Sequence, residues 1–188
     1  VKANQGSAGV DQISMEEFDA QRSKHLYKLW NRLASGSYFP PPVKEVEIPK
    51  KDGKVRKLGI PTIGDRVAQM VVKEYLEARF EKIFSPHSYG YRPNRNAHQA
   101  LEAVRANCRI ADWVIDLDIK GFFDNIDHEW MIKFLEYRID DRRFIELINR
   151  FLKSGIIENE MYYETDKGTP QGGIISPMDG IGPADIEI

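Results

Sequence analysis

The sequence has a single cysteine, Cys108, among 188 residues. One thiol closes no internal disulfide, so a disulfide-stapled secreted scaffold is excluded and a reducing, cytoplasmic setting is expected. The spacing of Cys108 with Ala97, Leu101 and Val104 puts the thiol on the inward face of a helix, as a core residue. Long hydrophobic runs are missing too. No apolar stretch nears the ~20 residues of a membrane span, and the opening Val1-Lys2-Ala3-Asn4-Gln5-Gly6 has no signal-peptide pattern. It also lacks an initiator methionine, as an excised segment would. There is no basic excess: 27 Lys and Arg against 29 Asp and Glu leave a net charge of −2. This excludes a strongly basic overall surface, so any phosphate-binding case must rest on local clusters. Repeats and low-complexity tracts are absent. What is present is an ordinary globular mixture, 41% hydrophobic and 30% charged, long enough to bury a core.

Ser14-Met15-Glu16-Glu17 fits a capping box ahead of a helix carrying Leu26, Leu29, Trp30 and Leu33, ended by Gly36 and Pro40-Pro41-Pro42. Val43 to Ile48 and Val55 to Ile60, joined through Lys51-Asp52-Gly53-Lys54, read as a β-hairpin with a basic tip. Six Lys or Arg and three acids lie between Lys44 and Lys57. Asp65 opens a long helix through Val67, Val71, Tyr75 and Ala78 to about Phe84. A loop with Tyr89, Tyr91 and Arg92 precedes the helix of Ala97 to Cys108. Trp113 to Ile119 is the clearest strand, with Trp113, Ile115, Leu117 and Ile119 on one face and Val114, Asp116 and Asp118 on the other. Asp127 caps a helical region, a second helical stretch runs from Phe144 to Leu152, and Gly155 ends it. Ile156 to Tyr163 reads as one strand, followed by the loop Gly168-Thr169-Pro170-Gln171-Gly172-Gly173.

The chemistry centres on Asp118. Its strand has a wholly apolar opposite face, and a carboxylate there costs several kcal/mol unless paired, solvated or metal-bound. Asp116 and Asp118 project from one face about 6.6 Å apart. Such a pair suits a hard divalent cation, and two-metal phosphoryl transfer needs carboxylates of this kind. Partly exposed acids at a sheet edge are the plainer reading of the same spacing.

The run Asp116-Leu117-Asp118-Ile119-Lys120-Gly121-Phe122-Phe123-Asp124-Asn125-Ile126-Asp127-His128 resembles the first catalytic motif of reverse transcriptases, closest to the group II intron branch. Three further stretches agree in order. Pro49 to Pro61 resembles the fingers motif that grips the incoming triphosphate, Ser88-Tyr89-Gly90-Tyr91-Arg92-Pro93 the second fingers motif, and Gly168 to Pro177 the next palm motif. The resemblance implies an α+β fold: right-hand polymerase fingers over 1–111, part of a palm over 112–177, and an unmatched tail over 178–188. Asp118 would be the catalytic, Mg²⁺-binding aspartate, with Ile119 beside it at the metal. Phe123, five residues on, would screen the sugar 2′ carbon against ribonucleotides. Arg56, Lys50 and Lys51 would hold the dNTP phosphates; Arg suits them because its planar fork bonds two oxygens. Gln171 would contact the nascent pair, and Tyr89, Tyr91 and Arg92 would support the template.

The implied function is RNA-directed DNA synthesis by two-metal nucleotidyl transfer, with RNA template or intron RNA, DNA primer and dNTP as partners and no membrane. The alternative is an RNA-binding, maturase-like module without catalysis; an inactive folded relic is a third reading. Related retroelement and defence-associated reverse transcriptases share the motifs. The family's Tyr-Ala-Asp-Asp hairpin has no counterpart in this sequence, so the palm is expected to be incomplete, the chain inactive by itself and its exposed palm edge open to self-association.

Overall fold

The computed structural model describes residues 1–4, 6–49, 53, 55–109 and 111–169, the side chain of Arg56 excepted. The elements run α1 (Met15–Ala20), α2 (Arg22–Ala34), β1 (Val43–Pro49), β2 (Val55–Ile60), α3 (Ile63–Phe80), α4 (Ala97–Asn107), α5 (His128–Glu136), α6 (Arg142–Leu152), β3 (Ile156–Glu158) and β4 (Met161–Tyr163), with short 3₁₀ turns at Lys2–Asn4 and Phe123–Asn125. The mixed α+β class follows.

Local signals set the helix ends. Ser14 and Glu17 form the expected capping box, Asp127 accepts from the Trp130 amide, and Asp141 caps α6. The long helix starts two residues before Asp65. Thr62 is its N-cap, and Asp65 sits in the first turn, where a carboxylate suits the helix dipole. Its buried stripe is Ala68, Val72, Leu76 and Phe80, one residue on from the expected Val67–Val71–Tyr75 line, and Val71 is exposed. Both rows are apolar at helical spacing, so periodicity alone does not choose between them.

The core joins Leu29 of α2 and this stripe to Leu135, Ile139, Ile145, Ile148, Phe151 and Leu152 of the α5–α6 region. Aromatic contacts tie the layers: Tyr75 to Phe144 at 4.3 Å and Tyr38 to Phe151 at 6.1 Å between ring centroids. Residues from both sides of position 111 therefore share one core.

The sheet has the order β2-β1-β3-β4. β1 and β2 form the expected hairpin, with Val46 opposite Leu58, and β1 runs parallel to β3 through Val43 opposite Ile156. Lys57 bridges Glu45 at 2.7 Å and Glu158 at 3.0 Å, and these hydrogen bonds hold its ammonium well above the usual lysine range.

Three expectations are corrected. Ile156 to Tyr163 is a tight antiparallel hairpin and not one strand; Asn159 (φ 49°) and Glu160 (φ 66°) both take the left-handed region that a two-residue type I′ turn requires. Glycine relieves that requirement, so Glu160→Gly is expected to raise stability by roughly 0.5–1 kcal/mol, read as a higher urea midpoint at unchanged slope. Second, Cys108 is exposed, and α4 buries none of its residues, because no described element covers the Leu101–Val104 face. Third, Trp113 to Ile119 forms no strand and pairs with no described strand, leaving Trp113 89% exposed. A strand is completed by its ladder partner, and the alternation of one segment does not supply one.

Candidate functional site

The stretch after Asp118 folds back on the loop that leads to Gln171. Gly121 takes φ +64°, and its carbonyl accepts from Asn125 Nδ2 at 2.8 Å, which starts the 3₁₀ turn. Phe122 and Phe123 meet edge to face at 5.4 Å and are half-buried. The Thr169 amide donates to the Phe123 carbonyl at 2.8 Å, and the Gly168 amide to the Ile126 carbonyl at 2.7 Å. Asp127 and Lys167 form an antiparallel bridge in the same seam.

His128 closes this seam. It is buried at the start of α5, and its Nε2 lies 2.7 Å from the Gly168 carbonyl oxygen. A carbonyl only accepts, so Nε2 carries the proton. Nδ1 and the Thr169 hydroxyl are then buried without hydrogen-bond partners among the described residues. Gly168 is required by contact: at φ +76°, an added Cβ would stand 2.8 Å from the carbonyl oxygens of both Phe123 and Asp124. Gly168 belongs to a motif legible in the sequence. His128 was missed as a site residue, although it ends the same run as Asp118.

Asp118, Asp116 and Ile119 are exposed in the segment between α4 and the 3₁₀ turn at Phe123–Asn125. Among the described residues no group of three or more His, Cys, Asp or Glu is gathered to hold a metal ion. The described residues around Asp118 thus hold fewer than three such groups, short of the six-oxygen demand of a cation such as Mg²⁺. Lys50, Lys51 and Gln171 lie outside the described residues; Arg56 pairs opposite Ile48 through its backbone.

The second fingers loop is built around Arg92. Its Nε and Nη2 grip Glu81, with the closest contact at 2.8 Å, and its Nη1 donates to the carbonyls of Ser85 and Ser88 at 2.7 and 2.9 Å. The guanidinium lies 4.9 Å from the Phe84 ring centroid, and the side chain is only 6% exposed. These bonds occupy the fork, so Arg92 supports the loop from within and is not presented to a phosphate. Tyr91 is 77% exposed at φ +54°, a conformation rare for a bulky residue. Tyr89 is half-buried, with Arg95 5.3 Å over its ring.

A buried polar cluster sits behind the hairpin. Asp65 is 1% exposed; it accepts from the Tyr38 hydroxyl and from Thr62 Oγ1 at 2.9 Å. Burial pushes its carboxyl up to about 6, against the opposing pull of those two hydroxyls. Arg66 donates to the Ser7 carbonyl, and an added Cβ on Gly9 would stand 2.7 Å from the Thr62 backbone, so the N-terminal strap packs on this corner. The Thr62-x-x-Asp65 spacing is a capping signal that could have revealed the cluster.

Residues 48–178 match the family model for reverse transcriptase (RNA-dependent DNA polymerase). Over 177 residues the chain is 40% identical to the group II intron-encoded protein LtrA of Lactococcus lactis subsp. cremoris, covering 94% of this chain and 29% of that protein. It is 36% identical over 175 residues to protein YkfC of Escherichia coli (strain K12), covering 90% of this chain and 46% of that one. A partial Cas6-RT-Cas1–Cas2 complex superposes with a TM-score of 0.55 at 24% identity over 84% of this chain and 28% of that chain, a likeness of fold. The chain thus spans less than half the length of each of these proteins. Four motifs in family order, a family model matched across them and this sequence likeness carry one conclusion: the chain belongs to the reverse transcriptase (RNA-dependent DNA polymerase) family and is a relative of the group II intron-encoded proteins.

Proposed function

We propose that this chain supplies the fingers (1–111) and the first part of the palm (112–177) of a polymerase that copies RNA into DNA. The docking of Gly168 and Thr169 onto the backbone of Phe123 and Ile126 carries this reading, because it couples the Asp118 motif to the one holding Gln171. In it, Phe123 stands beside the sugar C2′ and leaves no room for a hydroxyl. Gln171 meets the new base pair through its amide. Arg56, Lys50 and Lys51 steady the dNTP phosphates. Enzymes of this family depend on metal ions; Mg²⁺ is the cation proposed here, with Asp118 and Ile119 contributing to a site that other carboxylates must complete. Template or intron RNA and a DNA primer are the proposed partners. The exposed Trp113, Ile115, Leu117 and Ile119 make self-association the expected behaviour of the isolated chain.

A chimera in which this chain replaces the aligned residues of LtrA tests the assignment. It is expected to extend a DNA primer on RNA, and Asp118→Ala is expected to abolish extension. Extension by the Asp118→Ala chimera would sink the assignment. The pure 188-residue chain is expected to give no extension. The second reading, an RNA-binding module without catalysis, is favoured by the lack, among the described residues, of a group of three or more ligating side chains that includes Asp118. Salt-dependent affinity for structured RNA that survives Asp118→Ala, together with an inert chimera, would select it.

A further inference from the structure

We propose that His128 is a positioning residue for sugar discrimination, acting through the Gly168–Thr169 backbone to fix the place of the Phe123 ring; this rests on the polymerase reading above, in which Phe123 screens the sugar. His128 is the first residue of α5, and Asp127 caps that helix just before it. The helix is anchored in the core by Leu135, with Met131, Ile132 and Phe134 packed against the same cluster. His128 therefore stands on a rigid element. Phe123 does not: its 3₁₀ turn follows Trp113 to Ile119, which pairs with no described strand. Between the two lies a relay of hydrogen bonds. Nε2 of His128 donates to the Gly168 carbonyl at 2.7 Å, the Gly168 amide donates to Ile126 at 2.7 Å, and the next amide, of Thr169, donates to the Phe123 carbonyl at 2.8 Å. Gly168 is buried, so its carbonyl has no ready replacement for the histidine donor. Leaving a buried carbonyl unpaired is costly, and the loop would move to satisfy it, taking the Thr169–Phe123 bond with it. A ring that excludes a hydroxyl by contact works only while its place is fixed, so His128 governs selectivity without touching the nucleotide.

The test uses the LtrA chimera and compares kcat/KM for a dNTP with that for the matching rNTP on one RNA template. A loss of folded enzyme scales both rates alike, so their ratio isolates positioning from stability. His128→Leu keeps an apolar filling and removes the donor; it is expected to lower the preference for dNTP about fivefold. His128→Gln, whose amide nitrogen reaches the place of Nε2, is expected to keep the preference, and His128→Asn, which falls short of it, to lose it as His128→Leu does. The loss should vanish in a Phe123→Ala background, where the ring through which His128 acts is gone. In the 188-residue chain, amide exchange at Thr169 should speed up in His128→Asn and stay slow in His128→Gln. An unchanged preference in both His128→Leu and His128→Asn overturns the proposal, as does a loss that persists in the Phe123→Ala background. A chimera with wild-type His128 that extends no primer, or a preference that Phe123→Ala leaves intact, removes instead the reading on which the proposal rests.

Discussion

Gly168→Ala is expected to undock the 167–169 loop while leaving the helical core folded. The added methyl meets two carbonyl oxygens at 2.8 Å, and both belong to backbone that cannot swing aside as a side chain could. The left-handed φ of +76° adds a conformational penalty of about 1 kcal/mol for alanine. The loss has a ceiling, because the chain can escape the clash by giving up the docking. That docking consists of three hydrogen bonds, from the Gly168 amide, the Thr169 amide and His128, at about 1 kcal/mol each. The total cost is therefore roughly 3 kcal/mol and local. Amide exchange should accelerate by about two orders of magnitude at Gly168 and Thr169, with protection in α3 and α6 unchanged. Unchanged exchange at those two amides would show that the close approach does not hold in solution.

Asp65→Asn is expected to stabilise the fold at pH 8 and to flatten part of its pH dependence. The folded state holds the Asp65 proton more tightly than the unfolded chain, about 6 against an ordinary 3.8. A raised carboxyl contributes stability that is full below the unfolded value and is lost as pH rises through the folded one. The window is therefore pH 4 to 6, and the direction is opposite to that of a salt-bridged aspartate. At about 1.4 kcal/mol per unit, the effect is roughly 3 kcal/mol at its largest. Asparagine keeps an acceptor for Tyr38 and can donate to the Thr62 oxygen, so it removes the buried charge and keeps both contacts, with the direction of the Thr62 bond reversed. Urea midpoints at pH 5 and pH 8 for both proteins decide the matter. A variant less stable than wild type at pH 8, or a difference independent of pH, would count against a buried charge at this corner.

The features legible in the sequence are those written in short-range chemistry. The capping box at Ser14, the cap at Asp127, the β1–β2 hairpin and the stop at Gly155 each depend on residues within a few positions of one another. What was missed depends on partners far away. Trp113 to Ile119 alternates as a strand should, yet no described strand pairs with it. The hairpin turn at Asn159-Glu160 lacks the glycine that usually marks it. Leu101, Val104 and Cys108 have the spacing of a core face and no core against them. At the site, the glycine-bearing motif was visible, whereas the inward turn of Arg92 was not. An arginine in a basic, tyrosine-rich loop reads as a nucleic-acid contact until Glu81, eleven residues away, is found opposite it.

The parallel seam between β1 and β3 sets an order of events during synthesis. Val43 pairs with Ile156, and Arg150 reaches back to the Gly36 carbonyl across 114 residues of chain. A chain emerging from the ribosome can close β1 on β2 early, because that hairpin is local. It cannot complete the sheet or cover the Ala68–Phe80 stripe until α6 and β3 have left the exit tunnel. At about 5–20 residues per second, the stripe waits for several seconds with its apolar side open. Slowing synthesis between β2 and α6 is therefore expected to lengthen the exposure of the Ala68–Phe80 stripe and to raise aggregation of the nascent chain.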